Sequence, residues 1–452
     1  MKKILLAVLA LLVVAVVAAG VYVARLARSL DTPAFKERVL AEARERLGTE
    51  VRVDELNVAL LSGVTLRGVA VANPAPFEGD LMTADAFVLR YRLLPLLSGR
   101  VQVEQLALEK PSVHLAVNER GVYNYEKLMT SGDAPASAAG PSAAGAAAPP
   151  LDVVLQDLSV TDASVTMADA DGANLMTVDD ADLGSAFRVS GGVAEGNGRA
   201  TIGTVNLGDV LFVRDVSAPL EMTKAALKLA PVEAKVAGGR AGGDVVAYLQ
   251  GGFRYESTLE LSGVSVRTML EEAQSPARVS GTLSGKARFE GTAGLETMKG
   301  EGQGEVADCK VEDSRVLALL SRVLQVPELA NPEFQECRVT FTLLGDRLST
   351  PTLSLKGEAL QLTGKGTMNL DSSTLDYDMT LALATALLEK VRVKEFRAAF
   401  EPREDGLSTV DFKVFGSTEN PQTDLAKRIG KTAATEALKG QVDRLLKGKK
   451  IF

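Results

Sequence analysis

The sequence has few of the side chains that carry out most enzyme chemistry. It contains one histidine, His114, and two cysteines, Cys309 and Cys337, in 452 residues. His114 lies on the polar side of a predicted strand, which favours a solvated residue over a general base or a metal ligand. A Ser-His-Asp triad or a histidine zinc site cannot be built around it. We therefore expect no enzyme activity, no catalytic residues, no metal site and no cofactor.

Glycine-rich loops that bind phosphate are also missing. Gly281–Ala287 (GTLSGKA) lacks the spacing and the final Ser or Thr of a phosphate-binding loop, and we interpret it as a turn. Gly302, Gly304 and Ala307 fit a loose G-x-G-x-x-A pattern, but no helix is predicted to begin at the glycines. Asp169–Gly172 (DADG) lacks the rest of a calcium loop and is typical of a turn. The sequence thus indicates neither a dinucleotide site nor a calcium site.

The charge gives no general basis for nucleic-acid binding, since the formal net charge is −8. The C-terminal segment 424–452 differs, because it carries eight Lys or Arg against three Asp or Glu and a partly helical apolar stripe. Two interpretations of this basic tail stay open. It contacts anionic headgroups or an outer-membrane or periplasmic partner, or it is a solvated terminal helix.

Two cysteines are too few for a disulfide scaffold and do not have metal-site spacing. Cys309 and Cys337 lie 28 positions apart. A disulfide between them in an oxidising compartment would stabilise the fold by roughly 3 to 4 kcal/mol, and two buried free thiols are the alternative.

The N-terminus carries a membrane-anchor pattern. Lys2 and Lys3 precede an apolar run at 4–24, which as a helix would be about 31 Å long and able to cross a bilayer. We expect residues 1–30 to form an anchor in the inner membrane, with one span and the bulk of the chain in the periplasm. Cleavage near Gly20 is the alternative. A short amphipathic helix is predicted to follow, from Asp31 to Gly48.

The rest of the chain has the pattern of strands with one apolar face. In the stretch 86–128, Phe87, Leu89, Tyr91 and Leu93 alternate with polar residues. The next run shifts its apolar phase by one residue near Gln105, which predicts a β-bulge. A third run follows Pro111, and together the three runs predict an antiparallel meander.

The same alternation returns in the C-terminal half, and it defines candidate residues for an apolar floor. These residues, with the four above, are Val339, Phe341, Leu343, Leu375, Tyr377, Met379, Leu381 and Leu383. Few helices are predicted, mainly at 266–273 and 315–325, so they cannot cover so many strands. The apolar face is therefore buried in a filled sandwich or barrel, or it lines a groove completed by a ligand. A groove predicts that a charge at Leu381 impairs function at little cost to folding.

The organisation that we predict has one β body. Residues 31–130 form its first part, and 131–150, rich in Ala, Pro, Gly and Ser, form a linker or a loop. Residues 151–423 continue the strand pattern, and 424–452 are the basic tail.

The order of these features resembles the N-terminal region of the AsmA family of envelope proteins. Residues 61–80 look like that family's strand pair closed by an Asn-Pro turn, here Asn73 and Pro74. Residues 93–115 look like its Pro-Leu-Leu-x-Gly hairpin and its strand that ends in Pro, here Pro111.

Two further segments extend the resemblance. Residues 118–128 (NERGVYNYEKL) resemble the family's Asp-Gly-x-x-Asn-Trp-x-x-Leu closure through Gly121, Asn124 and Leu128, with Arg120 and Tyr125 at the Asp and Trp positions. Residues 300–423 resemble its C-terminal segment, in which a strand with spaced glycines leads into a helix.

The resemblance implies a mainly β fold: a transmembrane helix, then an elongated, twisted antiparallel sheet curled into a groove, with a few short helices. It also implies binding or transport of membrane phospholipid between the inner and outer membranes, with a role in outer-membrane homeostasis. The competing hypothesis is a filled β scaffold that assists outer-membrane protein assembly without binding lipid. A secreted hydrolase is a third, which the lack of a base or metal cluster argues against.

Overall fold

The computed structural model describes residues 47–425, together with residues 37, 40, 41 and 44. Gaps within this range lie at 60–62, 93–100, 126–152, 191–192, 250–253, 276, 293–296, 313–320, 322–325, 331, 371, 392–396, 398–399 and 419. The predicted anchor at 4–24, Leu93, the segment 131–150 and most of the basic tail lie outside the described residues. In the part of the chain that is described, no helix is long and apolar enough to cross a bilayer.

The chain divides into two compact units. The first unit contains the chain to Val236 and the stretch Arg240–Ser257, and the second contains Ala237–Gly239 and everything from Thr258 onward. The strands of the first unit are β1 (Val51–Ala59), β2 (Gly63–Ala72), β3 (Asp80–Arg92), β4 (Val101–Glu109), β5 (Ser112–Ala116), β6 (Val153–Ala168), β7 (Asn174–Ser190), β8 (Val193–Leu207), β9 (Leu211–Met222) and β10 (Ala226–Val236). The unit boundaries near residue 240 and at residue 257 fall within β11 (Gly239–Tyr248) and β12 (Arg254–Ser265).

The first unit is mainly antiparallel with one parallel junction. β1, β2, β3 and β4 pair in chain order, and β6 to β10 do the same. The junction lies between these two groups, where β6 runs parallel to both β4 and β5. Parallel neighbours need a crossover connection, and here the chain between Ala116 and Val153 makes it.

The predicted meander is wrong in one respect. β5 does not turn back on β4, because both strands pair with β3, at Leu108 against Phe87 and at Val113 against Met82. Lys110, with φ 45°, and Pro111 interrupt the strand without reversing it. Proline removes one ladder donor, which explains a break rather than a hairpin.

The predicted bulge in β4 is confirmed. Arg90 pairs with Gln105 and Tyr91 pairs with Val103, so Glu104 is the extra residue. The bulge moves Leu106 and Leu108 onto the face that Val103 occupies.

The second unit is an antiparallel meander with short helical additions. It contains α1 (Val266–Glu272), β13 (Arg278–Gly291), β14 (Lys299–Glu312), a 3-10 turn (Pro327–Leu329), β15 (Glu333–Leu344), β16 (Arg347–Lys356), β17 (Leu360–Asn369), β18 (Thr374–Ala384), α2 (Thr385–Leu388), β19 (Glu401–Pro402), β20 (Leu407–Ser417) and β21 (Pro421–Thr423). β13 to β18 pair in chain order, and β20 pairs with β18, β19 and β21.

Several local predictions can be compared with the structure. The helix expected at 266–273 is present as α1, and Ser265 caps it by accepting a hydrogen bond from the Thr268 N–H. Ser321 is helical and belongs to the second predicted helix, most of which lies outside the described residues. The described positions between 37 and 47 are helical, and Gly48, with φ 64°, follows them.

The two glycine and aspartate motifs behave differently. Asp169 Oδ1 accepts the N–H groups of Asp171 and Ala173, at 2.9 and 2.8 Å, which confirms a turn at DADG. GTLSGKA is not a turn, because Gly281–Ala287 lies inside β13 and pairs with β14. Its glycines are strand residues, and one of them, Gly281, has φ 140° beside a register shift.

Candidate functional site: the apolar face of the sheets

In the second unit, the strands carry apolar side chains on one face, which we call the apolar face. On β18 this face presents Leu375, Tyr377, Met379, Leu381 and Leu383. Register places like residues in rows across the neighbouring strands. One row runs through Leu381, Leu362, Leu355 and Cys337, and another through Leu375, Met368, Leu348 and Leu343. The predicted apolar residues of β15 and β18 therefore share one surface.

One end of this face is packed, and we call it the sealed end. Leu381 and Leu383, which are 1% and 0% exposed, join a cluster with Leu360 and Phe334. The chain outside the strands supplies the other side of that cluster, through Val326, Leu329, Leu387, Val391, Phe400 and Leu425. The sequence-based expectation that a charge at Leu381 leaves folding intact does not hold, since an unpaired charge there would be fully buried.

The other end of the face is less buried, and we call it the open end. Of its predicted members, Val339, Phe341, Leu375 and Tyr377 are half-buried and Leu343 is buried. Phe289 on β13 belongs to the same surface and was missed by sequence reasoning. The signal that could have identified Phe289 is its position in the period-two alternation of β13. One continuous apolar face is thus sealed at one end and accessible at the other.

A tyrosine shows how side chains lie on the open end. Tyr377 on β18 pairs with Gly366 on β17, and its hydroxyl lies 3.0 Å from Thr350 Oγ1 on β16. The ring therefore crosses the whole of β17 above the glycine. Since Thr350 is buried, this hydrogen bond satisfies its hydroxyl within an otherwise apolar surface.

The opposite face of the second unit is polar and charged. Arg338 pairs with Glu305 at 3.3 Å, and Lys413 pairs with Asp378 at 3.0 Å, both between exposed side chains. Exposed pairs of this kind add about 1 kcal/mol or less each. A cavity of about 590 Å³ near the middle of β16, β17, β18 and β20 has a mixed lining that includes Lys365, Asp378 and Phe412. No group of three His, Cys, Asp or Glu side chains among the described residues is placed to hold a metal.

In the first unit, the predicted apolar residues lie in a packed cluster. Leu89 and Tyr91 are 2% and 6% exposed, and they pack with Val103 and Leu106. Burial raises the pKa of the Tyr91 hydroxyl, because the phenolate is poorly solvated there. Phe87 is half-buried beside this cluster. These side chains therefore form a filled core in the first unit.

In the first unit, the Asn124 side chain links the segment after β5 to the turn after β2, and we call this link the Asn124 closure. This side chain donates from Nδ2 to Asn73 Oδ1 and to the His114 carbonyl, both at 2.8 Å, and accepts the Ala116 N–H at 3.1 Å. Asn73 in turn donates to the Glu78 carbonyl at 2.7 Å. Asn124 is only 1% exposed, so every one of these bonds is needed to offset its burial.

Aromatic rings accompany this closure. Tyr125, 2% exposed, packs with Leu81 and Leu115, and the Tyr123 and Tyr125 rings stack with centroids 5.2 Å apart. The two sequence motifs that contain Asn73 and Asn124 thus form a single structural unit that fastens the chain after β5 to the turn after β2.

His114 lies where the sequence placed it, on the polar side of β5. Its ring is exposed, with Nδ1 2.9 Å from Thr166 Oγ1 and Nε2 3.4 Å from Ser112 Oγ. These contacts place the ring between strand hydroxyls of β5 and β6.

The two cysteines lie together in the sealed end. Both are free thiols and buried, at 4% and 8% exposed. The Cys337 thiol donates a hydrogen bond to the neighbouring Cys309, and this bond, together with burial, raises the pKa of Cys337. Register pairs Cys309 with Phe334 and Cys337 with Val306, so neither cysteine lies directly opposite the other. The disulfide stays a prediction.

Comparison with known proteins relates the N-terminal part of the chain to a family. The AsmA family model matches residues 1–187, which include Asn73, Asn124 and the parallel junction at β6. This N-terminal part of the chain is thus similar to the AsmA family. No match was found among curated proteins or among solved structures. The similarity covers the region in which the sequence motifs meet at Asn124, and it agrees with the resemblance stated from those motifs.

Proposed function

We propose that this protein binds the acyl chains of membrane phospholipid on the apolar face of its sheets and carries lipid between the inner and outer membranes. The observation that carries the proposal is the open end of the second unit. There, Phe341, Leu375 and Tyr377 are only half-buried, on a face whose other end is packed by segments outside the strands. A globular core of this size would normally cover such residues.

The energetic reason is the cost of exposed hydrocarbon. An acyl chain of about 16 carbons costs on the order of 12 kcal/mol in water, at ~0.8 kcal/mol per methylene. A half-open apolar face lowers this cost for the lipid and covers the exposed face of the protein. The charged opposite face keeps that side of the sheet in water.

The proposed setting follows from the sequence. Residues 4–24 would anchor the chain in the inner membrane, and the β body would lie in the periplasm. N-terminal sequencing of the mature protein from membranes tests this part. Met1 or Lys2 is expected, and a new terminus near Gly20 would show a cleaved signal instead.

The lipid proposal is tested by extracting lipid from the full-length protein, purified in detergent, and counting phospholipid per chain by mass spectrometry. Wild-type protein should retain phospholipid. Leu375→Asp places a charge on the open end and should lose it, whereas Thr374→Asp, on the adjacent exposed position, should retain it. Equal lipid content in the two variants would contradict the proposal.

A filled scaffold that assists outer-membrane protein assembly is the second candidate. The packed cluster around Leu89, Tyr91 and Leu106 in the first unit favours it, because these apolar side chains are buried against one another. Absence of bound phospholipid from the wild-type protein, with the fold intact, would select this candidate.

A further inference from the structure

Strand β14 carries glycine at three alternate positions, Gly300, Gly302 and Gly304, which therefore share the apolar face. Glycine weakens a strand, because it has no side chain to pack and loses the most backbone entropy on folding. Three such residues in a strand paired on both sides are costly to stability. Because these glycines lie inside a paired strand, turn geometry does not explain them.

Aromatic rings from the two flanking strands fill the places of the missing side chains. A β-carbon on Gly300 would lie 2.6 Å from Cδ1 of Phe289, and one on Gly302 would lie 2.6 Å from Cε1 and Cζ of Phe341. Both rings thus lie against the backbone of β14 instead of standing away from the sheet. Their centroids are 6.5 Å apart, with 32° between the ring planes. Together they form a low aromatic surface, which we call the ring platform.

The same arrangement occurs at other glycines of the apolar face. A β-carbon on Gly366 would lie 2.5 Å from Cγ of Tyr377, whose ring crosses β17 to reach Thr350. Met379 lies over Gly364 in the same way, and in the first unit Phe187 lies over Gly196. Large side chains that cover glycine on the adjacent strand are a known means of recovering sheet stability. At the open end, however, the rings stay half-exposed, so they also form an accessible surface.

We propose that Gly300 and Gly302 are positioning residues that hold Phe289 and Phe341 flat, so that the ring platform seats an acyl chain of a bound phospholipid. This inference rests on the proposed function and adds the place at which the chain lies. Rings that lie flat on β14 turn their faces away from the sheet and leave the space above the strand free. A ring that stands upright would occupy the space above β14.

The chain offers a matched pair of substitutions on one strand and one face. Gly300→Ala meets only the Phe289 ring closely, since the next atom, the Arg288 carbonyl oxygen, is 3.4 Å away. The added methyl should therefore lift the ring. Gly304→Ala meets Val339 Cγ1 at 3.5 Å and Leu283 Cδ1 at 3.6 Å, which are ordinary van der Waals distances. The control adds the same methyl and leaves the platform unchanged.

The experiment uses the full-length protein in detergent and a phospholipid with a photoreactive diazirine near the middle of one acyl chain. After irradiation, mass spectrometry maps and counts the labelled residues. We expect wild type and Gly304→Ala to be labelled around Phe341, and Gly300→Ala to lose about tenfold, equivalent to ~1.4 kcal/mol of binding. Phe289→Leu removes one ring of the platform and should lose labelling to a similar extent.

The outcomes separate the two proposals. If no residue of the wild-type protein is labelled, the lipid function itself fails. If wild type is labelled but folded Gly300→Ala is labelled equally, the positioning role fails and the lipid function stands. If folded Phe289→Leu is labelled as strongly as wild type, the ring does not seat the chain, which also overturns the inference. Far-UV circular dichroism establishes folding for each variant.

Discussion

Two leucines of one strand, Leu381 and Leu375, allow a direct test of where the apolar face is packed. They share the face of β18, but Leu381 is 1% exposed whereas Leu375 is half-buried. We predict that Leu381→Ala strongly destabilises the second unit and that Leu375→Ala does so only weakly.

The magnitudes follow from burial. Leu381 pairs with Leu362 and Val410 and shares its cluster with Val326 and Leu329, so its truncation removes buried carbon and leaves a cavity. A buried Leu→Ala change costs about 2 to 5 kcal/mol. Truncation of Leu375 loses only part of the hydrophobic transfer free energy and leaves no enclosed cavity. We therefore expect the free energy of unfolding to fall by about 1 kcal/mol. A domain stability of about 5 to 15 kcal/mol makes this difference easy to measure.

The assay needs a probe of the second unit alone. The chain has no tryptophan, and Phe415 on β20 is 37% exposed, so Phe415→Trp adds a single tryptophan there. Urea unfolding of the full-length protein, followed by this fluorescence, gives the free energy of unfolding for each variant in that background. Equal losses at Leu375 and Leu381 would refute the division into sealed and open ends.

Two further predictions concern the Asn124 closure and the buried thiols. Asn124→Ala leaves Asn73 Oδ1, the His114 carbonyl and the Ala116 N–H unpaired, so we expect a loss of about 2 to 4 kcal/mol, against about 0.5 or less for the exposed Asn197→Ala. Thermal unfolding of both variants is the measurement, and equal midpoints would contradict it. The thiolate is the reactive form, so the raised pKa of Cys337 predicts that iodoacetamide leaves this residue unmodified at pH 8 in the folded protein, and rapid labelling would contradict this. Because the folded pKa of Cys337 lies above the unfolded value of about 9, the stability that this thiol contributes is complete below about pH 9 and falls as the pH rises further.

The local sequence pattern determined much of the secondary structure of this protein. Period-two alternation identified the apolar face of β18, the phase shift near Gln105 located a bulge, and the helix predicted at 266–273 is present as α1. These features depend on a few adjacent residues, and the spacing of side chains along a strand or helix records them directly. The AsmA resemblance was also visible from the order of motifs.

Contacts between distant residues were decided only by the tertiary structure. Leu375 and Leu381 obey the same alternation, yet only folding brings Val326, Val391 and Phe400 over one of them. Asn73 and Asn124 are recognisable as motif residues, but their hydrogen bond spans 51 positions.

The remaining differences have the same cause. The sequence does not show that β5 continues past β4 to pair with β3 and β6, because pairing is a property of partners far apart in the chain. The glycines of β14 look like a weak nucleotide motif until the rings of Phe289 and Phe341 are seen above them. Alternation determines which side chains share a face, whereas packing from remote segments decides which part of that face is buried and which part is only partly covered.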